Sequence, residues 1–222
     1  MDLTVKNPPA RYRSTLWLEA EKKALPSDMV PPSSWKAIYS QMMGQADDII
    51  ARLGSDALAP ADFYQAWYDV ISEGHARAWY AGRRLGGSDL PFSFGDRFVG
   101  QGAADADSYY LHRFMLAIQS GEYGMIDGEP LDADGLRTRM ALYAKKTRGT
   151  ANEALVNESG GYELFWTLGA AEHCPDCIAL YQLNPWRPDE VHTNPGDGNT
   201  VCITNCKCSW LRSDGLRGFG PA

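Results

Sequence analysis

Every cysteine of the 222-residue chain falls between positions 174 and 208. They are written Cys174-x2-Cys177, then a gap of 24 residues, then Cys202-x3-Cys206-x-Cys208. Cysteines used as small core fillers would be scattered along the chain. Their confinement to 35 residues therefore predicts a segment that folds back on itself and brings sulfur from two turns to one place. A tetrahedral zinc ion needs four such ligands, and C-x2-C lets two thiolates of one turn reach the same ion. Disulfides would leave one of the five thiols unpaired. The first 30 residues also lack the uninterrupted apolar run of a secretion signal, which argues for folding in a reducing compartment. Zinc is the expected partner of these thiols.

Spacing orders the candidate ligands. Cys174 and Cys177 form the firm pair. Cys206 and Cys208 are alternate residues, which in an extended strand face opposite sides unless the backbone bends. Cys202 and Cys206 are spaced to close a single turn. The preferred set is Cys174, Cys177, Cys202 and Cys206, with Cys208 as the substitute ligand and His173 and His192 as weaker candidates. Four thiolates close the coordination sphere, which makes the expected zinc structural and not catalytic. A site of that kind contributes on the order of 10 kcal/mol to the folding of a small module.

The rest of the chain reads as an α+β protein that is mainly α, a helical bundle followed by a small strand-containing zinc-knuckle lobe. Residues 1–32, with Pro8, Pro9, Pro26, Pro31 and Pro32, are expected to be an arm with a short helix around Arg13 to Lys23. The bundle is expected over 33–159. Ser33 or Ser34 caps a first helix, on which Trp35, Tyr39, Met42, Ala46, Ile49, Ile50 and Leu53 recur at helical spacing before Gly54. A second runs from near Pro60 to Gly86-Gly87, and its stripe narrows from Phe63 and Trp67 to Gly74, Ala78 and Ala81. Such narrowing predicts a helix packed closely on its second half. Leu90 to Gly102 reads as a loop because of Pro91, Gly95, Gly100 and Gly102. A third helix is expected from Ala104 to Gln119, and a fourth after Asp132 or Asp134, carrying Leu136, Met140, Tyr143, Ala144, Ala151 and Leu155. In the lobe, 160–222, Tyr162 to Leu168 alternates with period two and reads as a strand. Ile178 to Gln182 reads as a short helical turn, and Asn184 to Gly198 as a loop.

Some of these residues resemble a known family. Ala151-Asn152 on a helix, a strand with Trp166, Glu172-His173-Cys174-Pro175-Asp176-Cys177, and Pro195-Gly196-Asp197-Gly198-Asn199-Thr200-Val201-Cys202 with Asn205-Cys206-Lys207-Cys208 are similar to the tailed-phage minor head protein, or head morphogenesis, family of the phage Mu F type. The resemblance covers 131–210. Where that family writes a histidine shortly before its last cysteines, this chain has Cys202. The resemblance implies a minor component of a virion head, associated with the portal or the inner capsid surface, assembled in the host cytoplasm and supporting head assembly and DNA packaging or delivery.

Charge and motif content narrow the alternatives. A net charge of −7 and a pI near 5.1 speak against the whole chain being a nucleic-acid binder, which would need lysine and arginine to neutralise phosphates. Lys145-Lys146-Thr147-Arg148 and Lys207, Arg212 and Arg217 are local basic clusters, expected to be solvated faces. No stretch reaches membrane-spanning length. A zinc deaminase would need H-x-E upstream of P-C-x-x-C, whereas His75 and His112 are followed two residues later by Arg77 and Phe114. No phosphate-binding glycine loop ends in Lys-Ser or Lys-Thr. The expectation is a non-enzymatic virion protein whose partners are a portal or major capsid protein and, in passing, packaged DNA. The alternative is a cytosolic zinc-knuckle module that grips nucleic acid. Exposed aromatic surface on the bundle would favour the first.

Overall fold

The computed structural model describes residues 34–124 and 129–221. The expected arm over residues 1–32, with its helix around Arg13, lies outside the described residues. The fold is α+β and mainly α. Helix α1 spans Trp35–Gly54. A 3₁₀ turn over Pro60–Asp62 leads into α2, Phe63–Gly86, and then come α3, Phe94–Gln119, and α4, Ala133–Asn157. The lobe holds strand β1, Leu164–Thr167, the short helix α5, Pro175–Gln182, a 3₁₀ turn at Ile203–Asn205 and strand β2, Ser209–Arg212.

Helix α2 is the centre of the bundle. It packs along both α3 and α4, and α1 lies across α2 and α4. The apolar stripes meet in one core that includes Ile38, Met42, Trp67, Ile71, Leu111, Phe114, Leu136 and Met140. The narrowing of the α2 stripe has the expected consequence. Gly82 lies directly against the Ala151 carbonyl and the Ala154 methyl group of α4, where any Cβ would collide. Asp132 caps α4 by accepting from the Gly135 N–H at 2.9 Å.

The expected loop from Leu90 to Gly102 is a correction. Helix α3 starts at Phe94, ten residues before Ala104. Gly95 and Gly100 are not breakers there. Gly100 is bare because its Cα lies on the Ser72 carbonyl and the Ala76 backbone of α2, so the glycine permits a close helix crossing. The start is fixed by Asp96, whose carboxylate accepts from the Ser93 N–H at 2.7 Å and the Ser93 hydroxyl at 3.0 Å. Arg83 of α2 clamps the same carboxylate through Nε and Nη2 at 2.7 to 2.9 Å. Both side chains are almost fully buried, so neither charge is left without a partner.

In the lobe, β1 and β2 pair antiparallel, with Trp166 opposite Trp210 and their rings edge to face at 5.2 Å. The expected strand over Tyr162 to Leu168 is shorter in fact, and β2 was not foreseen. Leu164 and Trp166 point into a second core with Leu180, Trp186 and Trp210, which also takes in Leu155 and Val156 from the end of α4. Helix α4 thus supplies side chains to both cores.

Two outcomes test this packing. Gly82→Val should overpack the α2–α4 crossing and cost about 3 kcal/mol in chemical unfolding. His75, fully buried with Nδ1 2.7 Å from the Thr150 hydroxyl, has its pKa lowered from 6.5 to about 3, chiefly by burial and then by the Lys146 charge. The unfolded chain therefore binds a proton that the folded chain refuses, so stability falls as pH drops from about 6.5 toward 3. Replacing His75 by Gln should flatten that slope in urea titrations at several pH values, and an unchanged slope would clear His75 of the role.

Candidate metal centre

The sulfurs come from three short pieces of backbone. Cys174 is the N-cap residue of α5, followed by Pro175 at the first helical position, and Cys177 sits within its first turn. Cys202 and Cys206 flank the 3₁₀ turn, where Ile203 takes a left-handed φ of 51°. Cys208 comes immediately before β2. The backbone bend that Cys206 and Cys208 require is present, because both are buried and both approach Cys177.

All five cysteines are free thiols. Their sulfurs form two groups of three, Cys174, Cys177 and Cys202 in one and Cys177, Cys206 and Cys208 in the other, each with its members within 4.8 Å of one another. Cys177 belongs to both. Its Sγ is 3.7 Å from that of Cys202 and 3.7 Å from that of Cys206. A disulfide would need about 2.05 Å. By contrast, an ion bound tetrahedrally at about 2.3 Å from each sulfur sets neighbouring sulfurs about 3.8 Å apart. The cluster could hold a metal ion, and its spacing fits one. Of the four ligands preferred from spacing, Cys174, Cys177 and Cys202 fall in one group, while Cys206 falls with Cys208 in the other.

Burial governs the metal-free thiols. Cys177 is held far above the ordinary thiol range by burial and by its hydrogen bond with Cys174. Cys206 is raised by its hydrogen bond with Cys208 and then by burial. Burial also raises Cys202. Burial works upward on Cys174 as well, but backbone and side-chain hydrogen bonds from Cys177 and Cys202 bring its pKa below the ordinary value. Metal binding must therefore displace protons from buried thiols, so acid competes with the metal.

One cation shares this interior. Arg148 of α4 is 1% exposed, donates from Nη2 to the Cys206 carbonyl at 2.5 Å, and has a buried Nε with no hydrogen-bond partner. Burial works against its charge, and the nearby sulfurs of Cys206, Cys208 and Cys202 favour it. The expectation that Lys145 to Arg148 form a solvated basic face is thus corrected. Lys145 binds the Asn205 side chain at 2.9 Å, Lys146 the Asp107 carboxylate at 2.5 Å, and Arg148 faces the cysteines. No sequence signal separated Arg148 from its neighbours, because its burial depends on the loop that comes to lie over it.

That loop is fastened to α4 by the residues between. Gly196, at φ 88°, lies against the Arg148 guanidinium, and Gly149 lies against the Asp197 backbone. Asn152 donates to the Pro195 carbonyl at 3.0 Å and the Phe219 carbonyl at 3.2 Å, and accepts from the Phe219 N–H at 2.9 Å. Asp197 accepts from the Thr193 hydroxyl, the N–H groups of Asn194 and Asn199 and the Asn199 side chain, all within 2.7 to 2.9 Å. Gly149 and Asn152 of α4 and the Pro195-Gly196-Asp197 run of the loop are the two halves of one clasp.

The histidines divide. His173 lies beside the cluster, with Nδ1 3.6 Å from Cys208 Sγ and Nε2 2.7 Å from the Gly169 carbonyl. His192 lies tilted against the Trp186 ring at 5.5 Å and stands in neither sulfur group. No family model, curated protein or solved structure matches this chain.

The Cys177 sulfur is common to both groups, so it is the most sensitive position. Cys177→Ser should abolish metal binding and unfold the region after Gly160 while most of the helical circular dichroism is retained. Limited proteolysis reads this as rapid loss of the lobe and survival of the four-helix core.

Proposed function

We propose that this chain is a non-enzymatic minor head protein of a tailed phage or prophage, which docks through its helical bundle onto a portal or the inner capsid and uses zinc to hold its C-terminal lobe in shape. Zinc is the choice because thiolates are soft donors and a d¹⁰ ion accepts the tetrahedral arrangement that the 3.7 Å sulfur spacings match. In this role the cysteines fold the lobe and the surfaces do the work, supporting head assembly and DNA packaging or delivery in the virion.

The observation that carries docking lies on α3. Phe98, Tyr109 and Leu116 are 63%, 64% and 47% exposed and are separated by three turns and then two, so they share one outward face, with Tyr110 at its flank. Exposed large apolar side chains repeated along one helix face support an interaction surface there. Within the basic clusters Lys145, Lys146, Arg148 and Arg212, though not Lys207 or Arg217, support the same choice. Arg212 is bound to Asp214 at 2.6 Å and lies over the Tyr162 ring, and Lys145, Lys146 and Arg148 all have partners within the fold. Those groups are engaged where a nucleic-acid module would keep them for phosphates. Among the described residues, no helix is long and apolar enough to cross a membrane.

The test is co-expression with a portal protein encoded in the same gene cluster. The chain should co-purify with the portal ring, and a Phe98→Glu, Tyr109→Glu double variant should weaken capture on the order of tenfold while keeping its unfolding midpoint. A chain that ignores the ring but binds duplex DNA with an affinity that falls steeply with salt would replace this reading by a zinc-knuckle nucleic-acid module.

A further inference from the structure

A single tetrahedral ion needs four donors that are all neighbours of one another. The five sulfurs instead form two triangles that meet at the Cys177 sulfur. We propose that the cluster takes two zinc ions, with the Cys177 thiolate bridging them. This rests on the reading that the cysteines bind zinc, and it assigns them a different stoichiometry and ligand set from a closed four-thiolate site.

Each triangle can serve as one face of a tetrahedron. The inner ion lies on Cys177, Cys206 and Cys208, all buried. His173 offers a ring nitrogen beside Cys208, outside the group of three sulfurs, and would have to move toward Cys177 and Cys206 to complete the inner tetrahedron. The carbonyl of Gly169 can only accept, so the His173 proton sits on Nε2 and the Nδ1 lone pair is presented toward Cys208. A ring nitrogen held in this way by a backbone carbonyl is the usual arrangement of a metal-binding histidine. The 3.6 Å from Nδ1 to Cys208 Sγ matches the sulfur-to-nitrogen edge of about 3.6 Å that tetrahedral zinc imposes. The outer ion lies on Cys174, Cys177 and Cys202. Cys174 and Cys202 are half-buried, so its fourth position faces solvent.

Charge weighs against a closed four-thiolate site. One ion with four thiolates carries two negative charges and leaves the fifth cysteine a buried thiol. Two divalent ions with five thiolates carry one negative charge, and the buried Arg148 guanidinium cancels it. An interior that excludes water favours a neutral assembly over the four-thiolate site; one ion on Cys177, Cys206, Cys208 and His173 would be neutral too, so the metal count separates the two.

The full chain, purified without oxidation, should contain two zinc ions by native mass spectrometry and elemental analysis. One ion overturns the bridged pair and leaves the zinc reading standing, whereas none overturns both. Substitution with ¹¹³Cd should give two resonances coupled to one another through the shared sulfur, and a single resonance contradicts the proposal. A chelator should remove the solvent-facing ion first, in a separate phase. The double variant Cys174→Ser, Cys202→Ser deletes only outer ligands and should keep one ion and a folded lobe. If it folds without metal, there is no separate inner position. If it does not fold, the metal count and the cadmium spectrum of the unaltered chain still decide.

Discussion

The lobe depends on the contact between one face of α4 and the loop that carries Asp197. A lobe of this size, with a two-stranded sheet and one short helix, buries too little on its own to be stable. It leans on α4 instead. Leu155 and Val156 enter its core, Asn152 ties the loop and the C-terminal strap to the helix, and Gly149 lets the loop approach to backbone contact. Position 202 is placed by the end of this loop. The sulfurs can converge only because the loop is anchored several residues earlier, by the hydrogen bonds that Asp197 gathers.

Arg148 links that anchor to the metal centre. A guanidinium buried to 1% with an unpartnered Nε would be costly in an apolar interior, because desolvation of a charge outweighs what one hydrogen bond to the Cys206 carbonyl returns. Were the cluster to hold a metal ion, its thiolates would change the balance. Buried thiolates need a nearby positive charge, and Arg148 needs nearby negative charge, so each makes the other tolerable. Gly196 is the steric condition for the arrangement, since a side chain there would strike the guanidinium. The cluster is thus more than a set of sulfurs: its electrostatic partner comes from a different element, twenty-odd residues before the first cysteine.

The legible parts of the fold were those governed by a single periodicity. Apolar stripes on α1, α2 and α4 are legible because each keeps one helical period, even where α4 runs from one core into the next, and the small residues of α2 announce a close neighbour that proves to be α4. The start of α3 was hidden. Gly95, Gly100 and Gly102 read as breakers, although at least Gly100 answers to the backbone of α2, a contact that no local rule contains. Strand β2 was hidden for a related reason, because four residues between a cysteine turn and a glycine-containing tail carry no pattern until Trp210 finds Trp166 across the sheet. At the metal centre, spacing showed that the cysteines must converge. Their division into two triangles follows from the bend at Cys206 and the left-handed Ile203, which spacing does not encode. Arg148 was invisible in a run of basic residues.

The candidate metal centre and the proposed docking face are carried by different helices, and this bears on how they can be told apart. Both α3 and α4 pack on α2, and the cysteine cluster lies against α4 while the exposed aromatics lie on the outward face of α3. Residues that share no partners contribute to stability nearly additively. Phe98 and Tyr109 project outward from α3 and neither touches the cores that the cysteines and α4 build. A substitution there that weakens assembly while leaving unfolding and metal content unchanged assigns the loss to the surface. A substitution in the cluster changes folding first, and assembly only as a consequence. The physical separation of the two sites is what makes a structural metal and an interaction surface distinguishable as causes.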